Sequence, residues 1–474
     1  MIQSRSLILF VASLSGCMLG PDYQRPEIET PEQFQQRVSE GASIANLKWW
    51  ELFRDQELQR LIVVALEQNK DLAIATARVE ETRARLGFVR ADQFPRVDGV
   101  LDINRGNTAE QFIPDAGVQN SYLVSAQLTF EVDLFGKLRR QTESARQELL
   151  ASEEARRTVL TALISDVAST YFLLRDLDQR RDIAARTLAS RRESTRIVRE
   201  RFNKGTIPKI DVNQAEIQEA DAAAALARLE RQVIETENLL NVLLGRNPGK
   251  IARGEAIGSQ LIPPRVPTGL PSELLERRPD IRTAERQLAA QTERIGIAEA
   301  LRFPSLALTA DAGVASNELN DLADSNANIW NIGANFFAPL YNAGQNKRRV
   351  EIEIARTEQL ISEYEFTVLQ ALREVEDALA GVRTLRSELA ARRAQREAAR
   401  SAAFLSKARY DGGVTSYLEV LIANDSLFQA ENAVVAVERA RLVAIVDLYK
   451  ALGGGWSVQP TAGASSAEAG DSAQ

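Results

Sequence analysis

With 474 residues, 45% of them hydrophobic and 26% charged, the chain has the composition of a folded protein and length enough for several bodies. A net charge of −7 argues against a nucleic-acid partner, which wants a basic face. There is no His, one Cys and only two Met. The commonest general base and metal ligand, an internal disulfide and a methionine-lined path for soft metals are therefore all excluded.

Residues 1–16 read as a signal peptide: Arg5 is a short positive region, and the apolar run from Leu7 to Leu14 is too short to span a bilayer. Leu14-Ser15-Gly16-Cys17 matches a bacterial lipobox, so Cys17 is expected to become the acylated first residue; several acyl chains anchor where one alone binds weakly. Met18 rather than Asp follows, which favours the outer membrane. Residues 17–57 read as an extended segment with Pro21, Pro26 and Pro31, whose Trp49-Trp50 packs on the helical body.

A helical pattern then runs from about Leu58 to Gln93, with Leu61, Val64, Ala65, Leu72, Ala75 and Val79 at helical spacing, and Phe94-Pro95 ends it. After Pro95 the period becomes two. Over 96–105 Val97, Leu101 and Ile103 alternate with Asp98, Asp102 and Asn104; over 121–133 Tyr122, Val124, Ala126, Leu128, Phe130 and Val132 alternate with mostly polar residues. Such strands fit a membrane wall with lipid on one side and water on the other, although one hairpin alone fits a soluble sheet equally well.

Residues 137–204 contain no Pro or Gly and read as one helix, roughly 100 Å long at about 1.5 Å per residue. Its charge and length exclude a transmembrane span, and its near-heptad spacing suggests coiled-coil-like packing. A return helix follows over 210–244, then a Pro-rich linker over 246–271.

From there the first half repeats over 272–452. Asp71–Pro95 aligns with Asp280–Pro304 without a gap, strand patterns recur over 305–315 and 329–339, a long helix over 345–407 and a return helix over 417–452. Glu374, Glu376 and Asp377 read as a solvated face of that long helix. Residues 453–474 read as a tail, disordered at its end.

The interruption at Arg201–Ala215 also recurs, at Arg409–Ala423. Both have Arg before an aromatic residue, a Gly (Gly205, Gly413), a carboxylate (Asp211, Glu419) and an Ala. Each reads as the tip of a helical hairpin, with Gly205, Gly412 and Gly413 serving the turns. The Gly412-Gly413 tip is expected to move more than the one stiffened by Pro208. Asp211 and Glu419 also suit helix starts on electrostatic grounds alone.

Four strands cannot close a barrel, since the smallest membrane barrels have about eight, and open edges are not tolerated in lipid. If these strands lie in a membrane, several chains share one barrel; three chains supply twelve strands. The expected fold is thus an α+β membrane protein built from a tandem repeat.

Several motifs together resemble the TolC-like outer-membrane efflux factors, in their lipoprotein (OprM/NodT-like) branch. They are the lipobox, Gly20-Pro21-Asp22-Tyr23-Gln24-Arg25-Pro26, Trp49-Trp50-Glu51-Leu52-Phe53-Arg54-Asp55, Phe130–Lys137, Leu275–Ile281 and Leu448–Trp456. The resemblance implies a homotrimer with a 12-stranded β-barrel continued by a periplasmic α-helical barrel. It implies a passive exit duct for drugs or other toxic small molecules, partnered by a periplasmic adaptor and an inner-membrane pump of the RND type, with outer-membrane lipid around it. No cofactor beyond the covalent lipid on Cys17 is expected, and no metal.

By resemblance the tips close the periplasmic end. Glu419 matches a constriction acid, Asp211 an acid that helps hold the tips together and Tyr410 its aromatic partner. Gly205, Pro208, Gly412 and Gly413 fall where relatives meet the adaptor. The chain departs from the pattern at Ile422, where many relatives carry a second acid; Asp425 stands three residues on. The alternatives are a lipid-anchored periplasmic coiled-coil adaptor and a duct for type I protein secretion. The four period-two segments, two per repeat, favour a channel. No nucleophile, phosphate loop or metal cluster points to an enzyme.

Overall fold

The structure, a computed structural model, describes residues 18–35, 53–107, 117–260 and 271–454. The signal segment, Cys17, Trp49-Trp50, Pro114, Pro263, Pro264, Pro267, Trp456 and the tail from 455 onward lie outside the described residues. In chain order the elements are α1 Gln56–Gln68, α2 Lys70–Ala91, β1 Arg96–Asn107, β2 Val118–Val132, α3 Lys137–Asn203, α4 Lys209–Leu243, the short α5 Leu274–Arg277, α6 Pro279–Ala300, β3 Ser305–Ser316, β4 Asn328–Phe337, α7 Gln345–Asp411 and α8 Tyr417–Ala451. No described helix is long and apolar enough to cross a membrane.

The long helices and the first strand of each repeat match in length. α3 and α7 each have 67 residues, α4 and α8 each 35, α2 and α6 each 22, and β1 and β3 each 12. By packing, however, the chain divides across the repeats. Among the described residues, one unit takes the N-terminal stretch to Ile28, Ala77–Glu154 and Thr283–Phe366, the other the stretches from Glu29 to Thr76, from Ala155 to Arg282 and from Thr367 on. The reason is that strands pair with strands of the other repeat, and hairpin packs on hairpin.

In the first unit the strands form one antiparallel sheet in the order β1-β2-β3-β4. The register aligns Gly99, Ala126, Ala312 and Trp330 in one row, with Val97, Leu128, Ala310 and Ile332 in a neighbouring row on the same face. Between those two rows, Asp98, Gln127, Asp311 and Asn331 align on the opposite face. Pairing in register therefore collects the apolar alternates of all four strands on one side. Trp330 and Ile332 are each 76% exposed, a cost in water and none in lipid. Among the described residues β1 and β4 each pair along one edge only.

Three expectations need correction in the second unit. The helix read over 58–93 is two helices, because Asn69 caps the second. Its Oδ1 accepts from the Leu72 amide at 2.9 Å, and its Nδ2 donates to the Leu243 carbonyl at the end of α4, also at 2.9 Å. Arg278 occupies the matching place before α6 and donates to the Ala451 carbonyl at the end of α8, at 2.9 Å. Each repeat thus ties its returning helix to the helix that opens it.

The segment read as a linker is also fixed over its described part. Asp55 caps α1 through the Glu57 amide and is 3% exposed. Its other oxygen accepts from Tyr171 Oη (2.9 Å), the Glu255 amide (3.0 Å) and Gln260 Nε2 (2.8 Å). Nor are Glu374 and Glu376 merely solvated: Glu374 pairs with the buried Arg278 at 2.8 Å, and Glu376 accepts from the Gln35 amide at 2.6 Å.

Candidate functional site

Both long helices end in the same turn. Gly205 and Gly413 have φ of 73° and 71°, a left-handed conformation that a Cβ disfavours. Their amides donate to the Phe202 and Tyr410 carbonyls, and the next amides, of Thr206 and Val414, donate five residues back to Arg201 and Arg409. This paired bonding satisfies the last carbonyls of the helix. The next helices start after Pro208 and Ser416, whose extended backbones (φ −75° and −76°) suit a cap position. Gly412 does not share the left-handed conformation, so only one of the two glycines expected to serve the second turn is required by it.

Under these turns lies an apolar cluster of Val198, Val212, Ala215, Tyr417 and Val420, with Ile207, Tyr410 and Leu421 against it. It draws on both hairpins, so neither tip has a complete core alone. Burial, with the nearby Tyr410 and Asp211 adding to it, pushes the Tyr417 hydroxyl up to about 12. The Tyr410 and Tyr417 rings sit 5.3 Å apart at 51°.

Ion pairs close the cluster. Arg201 at the end of α3 reaches Asp411 at the end of α7 at 3.3 Å, and its guanidinium lies 4.9 Å from the centre of the Tyr410 ring. Lys407 holds the other Asp411 oxygen at 2.8 Å. Further along, Arg191 of α3 stands 3.8 Å from Asp425 of α8 and donates to the Gln218 carbonyl at 3.0 Å. Two ion pairs therefore join one hairpin to the other on either side of the apolar cluster.

The expected site residues are distributed as follows. Glu419 accepts from the Thr415 hydroxyl and lies 3.6 Å from Arg409, within its own hairpin. Asp425 belongs to the pair with Arg191. Asp211 sits half-buried in the first turn of α4, its amide donating to the Pro208 carbonyl at 3.2 Å. It is not joined to Tyr410, whose buried hydroxyl has no hydrogen-bond partner. Ile422 is 59% exposed. The sequence reading did not single out Arg201, Asp411, Lys407 or Arg191. The repeat held a clue, for Asp411 stands where the first copy has Asn203, a departure at an otherwise matched position. Among the described residues no group of three or more acidic, Cys or His side chains could hold a metal ion.

The model of a family described as outer membrane efflux protein matches residues 61–246 and 270–454. The solvent efflux pump outer membrane protein SrpC of Pseudomonas putida is 37% identical over 96% of this chain and 99% of its own length. The cation efflux system protein CusC of Escherichia coli O157:H7 is 34% identical over 94% and 97%. Among solved structures, the open state of the Neisseria gonorrhoeae MtrE outer membrane channel superposes with a TM-score of 0.83 at 32% identity, covering 93% of this chain and 98% of that one.

Proposed function

The chain belongs to the outer membrane efflux protein family, and from that premise we propose that its two helical tips are the regulated periplasmic entrance of the channel. The protein is an outer-membrane channel component of a tripartite efflux system. It works as a trimer, extends into the periplasm and serves an adaptor and an inner-membrane pump. Three chains bring twelve strands and six tips.

The observation that carries the gate is the linkage of two hairpins from different repeats through Arg201–Asp411 and Arg191–Asp425 over one shared cluster. A tip cannot swing outward without breaking those pairs and uncovering Val198, Val212 and Val420. Closed, the arrangement narrows the entrance; released, it widens it. That a relative, the Neisseria gonorrhoeae MtrE channel, has an open-state structure supports a family able to open this end. The relatives are efflux proteins, and the site is accordingly read as acting on passage.

The finer assignments are part of the same proposal. Glu419, half-exposed near the tip, contributes a carboxylate from each chain to the constriction, where repeated negative charge favours cations. Cys17 carries the lipid anchor, supported by its lipobox and by the docking of the residues just after it. The Leu19 amide donates to Phe135 at 3.3 Å, and Arg140 donates to the Leu19 and Gly20 carbonyls, both at 3.1 Å. The pump is of the RND type. The cargo is a small toxic compound: the relatives include solvent and cation exporters, and a chain without His and with two Met offers few soft ligands of its own.

Ion selectivity in planar bilayers tests the gate acid. Glu419→Ala should lower cation preference or widen conductance, and an unchanged channel would remove Glu419 from the constriction. Radiolabelled palmitate entering Cys17→Ser would remove the lipid assignment.

A further inference from the structure

Arg140, near the start of α3, is 1% exposed and donates to four oxygens. Its Nη1 reaches Glu293 of α6 at 2.8 Å, and its Nη2 reaches Asp22 at 2.9 Å. Its Nη2 and Nε also hold the Gly20 and Leu19 carbonyls, both at 3.1 Å. One planar fork thus ties together α3, α6 and a strap formed by residues 18–22. The seat leaves no room for a side chain at its glycines. A Cβ on Gly296 would lie 2.6 Å from the Leu19 carbonyl oxygen, one on Gly136 would lie 2.8 Å from Met18 Cγ, and one on Gly20 would strike the Gly296 backbone.

The internal repeat shows that the strap, and not the helices, calls for this seat. Gly136, Arg140 and Gly296 correspond to Gly344, Arg348 and Gly87 of the other repeat. A Cβ on Gly344 or Gly87 meets nothing within 4 Å. The Arg348 side chain is 75% exposed and pairs with Glu351 of its own helix, and Ala84 stands where α6 has Glu293. The seat also lies at a particular joint. Gly136 and Arg140 follow directly on β2, and Glu293 and Gly296 lie on the helix that leads into β3. β1 and β2 are neighbours in the chain, as are β3 and β4, but β2 and β3 pair with α3 to α6 between them in the chain. No short turn sets their register, and a slip of one residue would send Asp311 to the apolar face.

We propose that the strap is a register staple, with Arg140 as its positioning residue. Seated on Arg140, residues 18–22 hold the start of α3 against α6, and that spacing sets β2 against β3 so that Thr129 faces Thr309. With the strap lifted, Arg140 and Glu293 keep their pair but lose the backbone wedged between Gly136 and Gly296, and the two helices are free to shift. The strap is fastened beyond the seat as well. Tyr23 and Arg25 donate to Glu285 of α6 at 3.4 and 3.1 Å, and Arg25 donates to Tyr364 of α7 at 3.3 Å. The N-terminal strap thereby takes part in building the membrane sheet, and a chain whose strap is held elsewhere is kept from a register that can join a barrel. This rests on the barrel reading of the sheet.

The test is disulfide formation between Thr129→Cys and Thr309→Cys, which face each other across β2 and β3, in the full-length chain extracted in detergent. The cysteine pair is combined with Gly20→Ala, which lifts the strap and keeps Arg140 and Glu293. It is combined separately with Arg140→Lys, which keeps a charge for Glu293 but gives up the fork that spans two carbonyls. The control is Gly87→Ala, the counterpart of Gly296, where a Cβ has open space. The cysteine pair alone and the control should oxidise equally well. Gly20→Ala and Arg140→Lys should lower the yield several-fold while the helical circular-dichroism signal stays that of the parent. An undiminished yield in either variant would overturn the proposal and leave the barrel reading standing. A helical signal lost together with the cross-link would also overturn it, since the strap would then be a general part of the core. A cysteine pair that stays unoxidised in the otherwise unaltered chain would refute the register of the sheet, and the barrel reading with it.

Discussion

Arg201 and Asp411, 210 residues apart in sequence, meet at 3.3 Å and join the ends of the two longest helices. The pair is exposed, and exposed pairs contribute only about 0–1 kcal/mol. Its importance is positional: with Arg191–Asp425 it brackets the apolar cluster under the tips, so a small energy governs where two hairpins sit.

The pH response follows from Asp411. The hydrogen bond and charge of Lys407, then the Arg201 charge, hold its carboxyl below the usual aspartate range. A depressed folded value means the stabilisation is present above the unfolded value of about 4 and is lost as pH falls through the lower folded value. As far as this pair is concerned, conductance should stay flat from about pH 7 to about pH 5 and rise only below about pH 4. A rise between pH 7 and 5 that disappears in Asp411→Asn would contradict this.

The glycines of the second tip should differ. Gly413→Ala forces a Cβ into a left-handed turn at a cost of about 1–2 kcal/mol, whereas Gly412→Ala, whose counterpart in the first tip is a lysine, should be near neutral. Amide exchange at the tip measures both. Equal protection in the two variants would show that Gly412 is also needed, restoring the looser double-glycine hinge that the sequence suggests.

Asp55 should tolerate neither Ala nor Asn. Both of its oxygens face donors, among them the Glu57 and Glu255 amides, Tyr171 and Gln260, so an Asn amide would set donor against donor. A loss of about 3 kcal/mol is expected from stranding several buried donors, read as a lower thermal midpoint of the helical signal. An unchanged midpoint in Asp55→Asn would refute the account of this node.

The sheet offers an internal control in neighbouring residues. Ala312 lies in the apolar row with Ala126 and Trp330; Asp311 lies on the opposite face with Gln127 and Asn331. Ala312→Arg should impair insertion into vesicles, by up to about 2–4 kcal/mol if near the bilayer centre, while Asp311→Asn should insert normally. Equal insertion by the two would mean that the apolar face is not the lipid face.

What was legible in the sequence is what repeats or alternates locally. The period-two segments showed which residues share a face, because alternation is a property of the strand itself. The tandem repeat was visible because every long element recurs at nearly constant spacing. Long-range partners were not legible. Only the local half of the Asn69 cap, its bond to the Leu72 amide, could be sought in sequence, since the carbonyl it also holds belongs to Leu243; nothing near Glu374 announces Arg278. Some acids at the tips could be picked out, but not their partners across the hairpins: Asp425 was chosen without Arg191, and Asp411 was missed together with its pairing to Arg201. An acid is conspicuous in sequence, and the guanidinium that neutralises it is fixed only when two hairpins pack.

Single-channel conductance of the double variant Asp411→Asn/Asp425→Asn, against the parent trimer in planar bilayers at neutral pH, addresses the gate most directly. Both changes keep shape and remove only the charge that joins hairpin to hairpin. If the pairs hold the entrance closed, conductance should rise several-fold, toward that of an open channel. The parent's small conductance persisting in the double variant would show that the tips are held by something other than these two pairs.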